Sequence, residues 1–344
     1  MAAMTTLARS AGLFAVLGFV APVLAADQAL IDAARREGVV NWYTVQIVDQ
    51  LARPAAAAFE KKYGVKADFV RGEPNEIVLR ITNESKAGQI RADVFDGTTT
   101  APLLKKAGLA MKWQPDSAKR LPPQYLDREG YWTATNLYVL TAGYNTELVP
   151  RGQQPKSFKD LLDSRWKGKM AWSLNATSVA APGVVGLALA DMGPEQGRAY
   201  LRQLAGQSVT GLRVTARQVL DQVIAGEYQI GVGIMNSHAV ISAGQGAPVD
   251  WIAMDPSLAV LSVVGVLKEP LHPNAARLFV EFLVSEEGQT IFRDANYLPV
   301  DPGVPPKTPG LTPESGKFRA IFLTPEEIDQ RIGEWTGLLK EMFP

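Results

Sequence analysis

The sequence predicts an α/β protein of two lobes, each a mostly parallel sheet flanked by helices, joined by hinge strands. Three observations carry this expectation. Between residues 39 and 107 an apolar, strand-like run followed by a helical stretch occurs three times, the alternation that builds parallel sheets. The chain has 344 residues, more than one core usually supports. Residues 132–146, WTATNLYVLTAGYNT, form one extended run with no helical period and no proline, long enough to carry the chain from one lobe to the next. The expected division is 26–138 with 255–344 for the first lobe and 139–254 for the second.

Hydrophobic residues make up 47% of the chain and charged ones 20%, a globular composition. Lys plus Arg equals Asp plus Glu, at 35 each, so no net field recruits nucleic acid or an anionic membrane. The first residues read as an export signal: Arg9, an apolar core over 11–20 and the small-residue pattern Val23-Leu24-Ala25 place cleavage after Ala25. That apolar run is shorter than the roughly 20 residues a spanning helix needs. With no cysteine there is neither disulfide nor lipid-bearing thiol, and stability rests on core burial. The expected product is a freely diffusing periplasmic monomer.

The elements follow in order. After a helix at 28–37, VVNWYT (39–44) is a buried strand and 49–63 a helix that Gly64 ends. Strand 66–71 with helix 76–87, and strand 92–97 with helix 100–107, repeat the unit. In such sheets ligands sit outside the carboxyl ends of the strands, where loops feed helix N-termini. The loops 44–48, 71–75 and 97–100 therefore face one way, and Thr44, Gln46, Asn75, Thr98, Thr99 and Thr100 either touch a ligand or cap helices. Residues 116–131, with Pro122 and Pro123, are loop. Residues 155–172 read as a short amphipathic helix, a turn at Gly168 and a strand. Asn175, Thr177 and Ser178 then stand at the mouth of an apolar helix that stops at Gly193, a second-lobe site for an anion or polar group. Helices are expected at 195–205 and 215–225, and a strand over 227–236 leads to Ser237 and His238. Strands 249–253 and 259–268 follow, the latter returning the chain to the first lobe. Residues 272–287 form an amphipathic helix with Pro273 in its first turn. A proline-rich connector spans 301–313, and a terminal helix 325–343 carries Trp335 and Leu339 on its apolar face.

Catalytic signatures are sparse. There are two histidines; His272 precedes Pro273 at a helix start, whereas His238 near a strand end is the better functional candidate. HExxH, GxSxG and GxxxxGK[ST] do not occur. Abundant carboxylates leave a secreted carboxylate-based hydrolase open.

The ordered series VVNWYT, AFEKKYGVKADFVRG, RADVFDG, GYNTELV, SFKDLLDSRWKGKMAW, AGEYQIGVGIMN and LFVEFLVSEEGQ resembles the periplasmic solute-binding proteins of ATP-binding-cassette importers, in the branch that includes ferric-ion-binding proteins. The resemblance spans about residues 38 to 300. It implies two lobes that close on a small-molecule ligand like a hinged trap and deliver it to an inner-membrane permease, without turnover and without a cofactor. Iron-binding relatives use adjacent tyrosines where this chain has Ser237-His238, and a glutamate where it has Thr98, which weakens the ferric or other metal ion carrier as an alternative. The helix mouth with Asn236 then resembles the anion-holding part of the site. Arg71 at a strand end, with Arg213 or Arg217 across the cleft, would meet a carboxylate or phosphonate by forked hydrogen bonds. Trp42, Trp172 and Trp251 either wall a pocket or belong to the core.

Overall fold

The computed structural model describes residues 28–174 and 179–343. The expected signal peptide, 1–25, and the helix-mouth candidates Asn175, Thr177 and Ser178 lie outside the described residues.

The first lobe begins with α1 (Gln28–Glu37), β1 (Val39–Thr44), α2 (Arg53–Tyr63), β2 (Lys66–Arg71), α3 (Pro74–Lys86), β3 (Val94–Asp96) and α4 (Thr100–Lys106). Local chemistry sets these boundaries. Gly64, at φ +71°, closes α2 with its N–H on the Glu60 carbonyl, and Glu73 and Glu76 cap α3 reciprocally ahead of Pro74. The crossing strand β4 (Thr133–Asn145) follows, buried at every position. Next come β5 (Met170–Ser173), α5 (Ala180–Met192), α6 (Pro194–Ala205), β6 (Thr210–Leu212), α7 (Ala216–Ile224), β7 (Ile230–Met235), α8 (Asn236–Gly244) and β8 (Val249–Ile252). The second crossing strand β9 (Ser257–Val266) leads to α9 (Pro273–Val284), α10 (Glu286–Asp294), β10 (Leu298–Pro299), α11 (Pro313–Gly316), β11 (Ala320–Leu323) and α12 (Pro325–Met342).

One sheet runs through both lobes in the order β2-β1-β3-β9-β4-β7-β5-β6, with β10 and β8 on β4 and β11 on β9. It is parallel in its outer parts, β2-β1-β3 and β7-β5-β6. β4 and β9 pair antiparallel with each other and with their neighbours β7 and β3, because one of these strands carries the chain out and the other carries it back, while β11 lies parallel on β9. The sheet is therefore mixed where it crosses between lobes.

Two local expectations change, and one is refined. The short helix expected within 155–172, ahead of the turn at Gly168, is two tight single turns, Lys159–Leu162 and Ser164–Trp166, divided at Asp163, whose extended backbone (ψ 131°) ends one turn and whose side chain caps the next, while the strand expected after Gly168 forms as β5. The helix expected over 272–287 breaks at Ser285, which is extended (ψ 161°) and caps α10 through the Gly288 N–H. His238 lies just past the end of β7, as expected, in the first turn of α8. Among the described residues no helix is long and apolar enough to cross a membrane.

Candidate ligand cleft

A cavity of about 520 Å³ lies between the lobes. Its floor is one face of the crossing strands. Tyr138 and Leu140 point the same way because strand side chains alternate. Val260 stands opposite Tyr138 on β9, and Met235 opposite Leu140 on β7, so four cross-strand neighbours form a continuous apolar surface. All four line the cavity.

The walls are loops at strand carboxyl ends. On the first-lobe side stand Val45 and Ile47 after β1, Arg71 at the end of β2 with Glu73 after it, and Thr98 and Thr99 after β3. On the other side stand Ala180 at the start of α5, Thr215 and Arg217 at the start of α7, and His238 in α8. The expected candidates Arg71, Thr98, Thr99, Arg217 and His238 thus share one cavity. Arg71 donates to Glu73 at 2.6 Å and Arg217 to Asp221 at 2.9 Å; both guanidinium groups are part-exposed and each is held by a carboxylate of its own segment. The Thr98 hydroxyl donates to the Leu261 carbonyl at 2.6 Å, whereas the Thr99 hydroxyl is buried without a partner. Burial, followed by the positive fields of Arg217 and Arg71, pushes the His238 pKa down to about 3. Its imidazole is therefore neutral at ordinary pH.

Thr44, Gln46, Asn236 and Ser237 are buried and stand behind the cavity wall rather than in it. Thr44 donates to Asp96 at 2.6 Å and accepts from the Gln46 N–H at 3.0 Å, shaping the turn after β1. Gln46 accepts from the Tyr138 hydroxyl at 3.1 Å and donates to the Ser262 hydroxyl at 3.2 Å, tying that turn to both crossing strands. Asn236 donates to the Leu311 carbonyl at 2.8 Å. Arg213 is exposed and does not line the cavity. Trp42, against Phe69 and Phe279, and Trp172, against Phe343, belong to the core, and Trp251 packs on Phe318.

Tyr297 lines the cavity without having been singled out in the sequence. It follows α10 and lies 5.9 Å from the Tyr138 ring and 6.3 Å from the His238 ring, centroid to centroid. Its hydroxyl lies by the Ile47 amide without closing a hydrogen bond of good geometry. Burial holds the phenolic protons of Tyr297 and Tyr138 on well above the usual pKa. The nearest sequence signal was Leu298-Pro299, a two-residue strand on β4, too short to show a period.

Comparison with known proteins agrees with this architecture. The chain is 26% identical over 340 residues to the Fe(3+)-binding periplasmic protein of Serratia marcescens, covering 94% of this chain and 95% of the relative. A Salmonella typhimurium relative, which carries the provisional name of 2-aminoethylphosphonate-binding periplasmic protein, is 25% identical over 308 residues, covering 87% of this chain and 84% of its own. The solved periplasmic binding protein AfuA of Actinobacillus pleuropneumoniae, with exogenous fructose-6-phosphate bound, shares the fold at TM-score 0.75 and 21% identity, covering 88% of this chain and 99% of that one. Residues 92–321, well over half of the chain, match the model of the family described as bacterial extracellular solute-binding protein. By its strand order, its cleft and this match, the chain belongs to the bacterial extracellular solute-binding proteins.

Proposed function

We propose that this protein is a periplasmic receptor that captures a small organic oxyanion between its lobes and delivers it, as a monomer, to an inner-membrane ATP-binding-cassette permease. The observation that carries this reading is the placement of Arg71 and Arg217 on opposite walls of one cavity, with a neutral imidazole beside them. A carboxylate or phosphonate head meets guanidinium groups by charge-assisted, forked hydrogen bonds, and one that reaches both walls favours the closed form. In this reading residues 1–25 are the signal peptide, 26–138 and 255–344 the first lobe, and 139–254 the second.

The ferric carrier fits less well. A hard ferric ion wants several anionic oxygens, and the two phenols lining the cavity stand where burial keeps them protonated. Ser237 and His238 occupy the positions at which a tyrosine pair was expected of an iron binder. A paired-carboxylate hydrolase also lacks support. Among the described residues lining the cavity Glu73 is the one carboxylate, and it is engaged by Arg71 and by the start of α3.

The test is calorimetric titration of the purified protein with phosphonates, phosphate esters, carboxylates and ferric citrate. Arg71→Gln and Arg217→Gln should each weaken binding of the preferred anion by about 1.5–3 kcal/mol, and the ligand should be recovered unchanged. Wild-type affinity in both variants, or a ferric complex with a phenolate charge-transfer band, would overturn the reading.

A further inference from the structure

The polar inventory of the cavity is small once groups already in use are set aside. Thr98 is committed to the Leu261 carbonyl. Thr215 and Gln218 cap each other across the start of α7. What faces a solute is therefore two arginines, each paired to a carboxylate of its own segment, the Glu73 carboxylate, a neutral imidazole and a few hydroxyl or amide groups, above an apolar floor that is closely packed and opens most at Met235. Val260, Tyr138, Leu140 and Met235 form the floor, and Ile47 and Ile241 stand on the two sides. A polyol or a bare inorganic ion laid there would leave its hydrogen-bonding groups against hydrocarbon, which is costly. The volume of about 520 Å³ is that of a site for an organic molecule rather than for an ion alone.

We propose that the solute is an amphipathic anion, with an oxyanion head held between Arg71 and Arg217 and an apolar alkyl or aryl body lying on the floor of the crossing strands. This rests on the anion-receptor reading and narrows it. The head supplies the charge that competes with Glu73 and Asp221 for the two guanidinium groups. The body withdraws its own apolar surface, and what Met235 and Ile47 still expose, from water as the lobes come together. Because one surface spans β9, β4 and β7, it is shared by both lobes, and a body lying along it reports on closure as directly as the head does.

The experiment is a homologous series, n-alkylphosphonates from methyl to pentyl with the matched n-alkyl carboxylates, titrated calorimetrically into the full protein. Affinity for the better head should rise about fourfold for each added methylene, the transfer free energy of one buried CH2 expressed as a ratio. Met235→Gln, with Ile241→Gln as an independent second variant, should flatten the series, so that each added methylene gains much less than in the wild type. Arg217→Gln should weaken every member by one common factor. A flat or falling series with the methyl member bound overturns this inference and leaves the anion reading standing. If no member of either series binds, both fall.

Discussion

Asp96 shows how far burial can move a group that sits just behind the cavity wall. It is 1% exposed and accepts from the Thr44 hydroxyl at 2.6 Å and the Val45 N–H at 2.7 Å. Burial outweighs these hydrogen bonds and raises its pKa from 3.8 to about 7. The folded protein therefore keeps a proton that the unfolded chain releases between these two values. The stability from this proton is fully present below 3.8 and is lost as pH rises through about 7. Asp96→Asn cannot ionise, so its melting temperature should gain on that of the wild type as pH rises from about 5 to 7. A difference that does not change with pH would remove Asp96 as the titrating group. The residues behind the wall were only half legible. Thr44 and Gln46 stood out as polar residues at a strand end, but composition does not tell a ligand contact from a support. Tyr297 stayed hidden because its place in the cleft depends on contacts with Tyr138 and His238, far away in the chain.

Helix α5 makes the same point for whole elements. Its run AAPGVVGLALADM is apolar almost throughout and buried from Ala180 to Ala188, so no amphipathic stripe tells which face meets which neighbour. Its glycines decide. Trp335 of α12 lies over Gly186, where an added Cβ would come within 2.6 Å of the indole. Gly186→Ala should lose about 1–3 kcal/mol in urea unfolding through overpacking. Gly337 of α12 has open space around it, and Gly337→Ala there should gain about 0.5–1 kcal/mol from helix propensity. If both alanines behave alike, the α5–α12 contact is softer than described. Long periodic elements such as α7 and α12 were legible from spacing and capping residues. The break at Ser285 was missed because the hydrophobic period of 272–287 continues through it, and only the fresh cap SEEG marks the second helix. The strands β6, β10 and β11 have four residues or fewer and carry no usable period.

The crossing strand β4 was visible as one long extended run, yet the sequence did not show that helix α12 would also touch both lobes. At its first-lobe end the Trp132 indole N–H donates to Glu326 at 2.8 Å, and Lys106 pairs with Asp329. At its second-lobe end Trp335 covers Gly186, Arg198 pairs with Glu334 at 3.0 Å, and Phe343 stacks edge-on against Trp172 with centroids 4.4 Å apart. The lobes are thus linked by β4, β9 and this helix, and also by Asn236 on the Leu311 carbonyl and Trp251 on Phe318, tethers that favour a hinge over free rotation. A ligand shifts the open–closed balance only by its differential affinity for the two forms. On the proposed reading, Arg71 and Arg217, standing on opposite walls, would supply that difference when one head engages both. Saturation with the preferred anion should therefore reduce the radius of gyration in small-angle scattering, and Arg217→Gln, saturated at higher concentration, should show a smaller reduction because the second-lobe grip is missing. Scattering that stays unchanged while calorimetry shows full occupancy would mean that the solute binds one wall alone, and the hinged-trap account of this molecule would have to be given up.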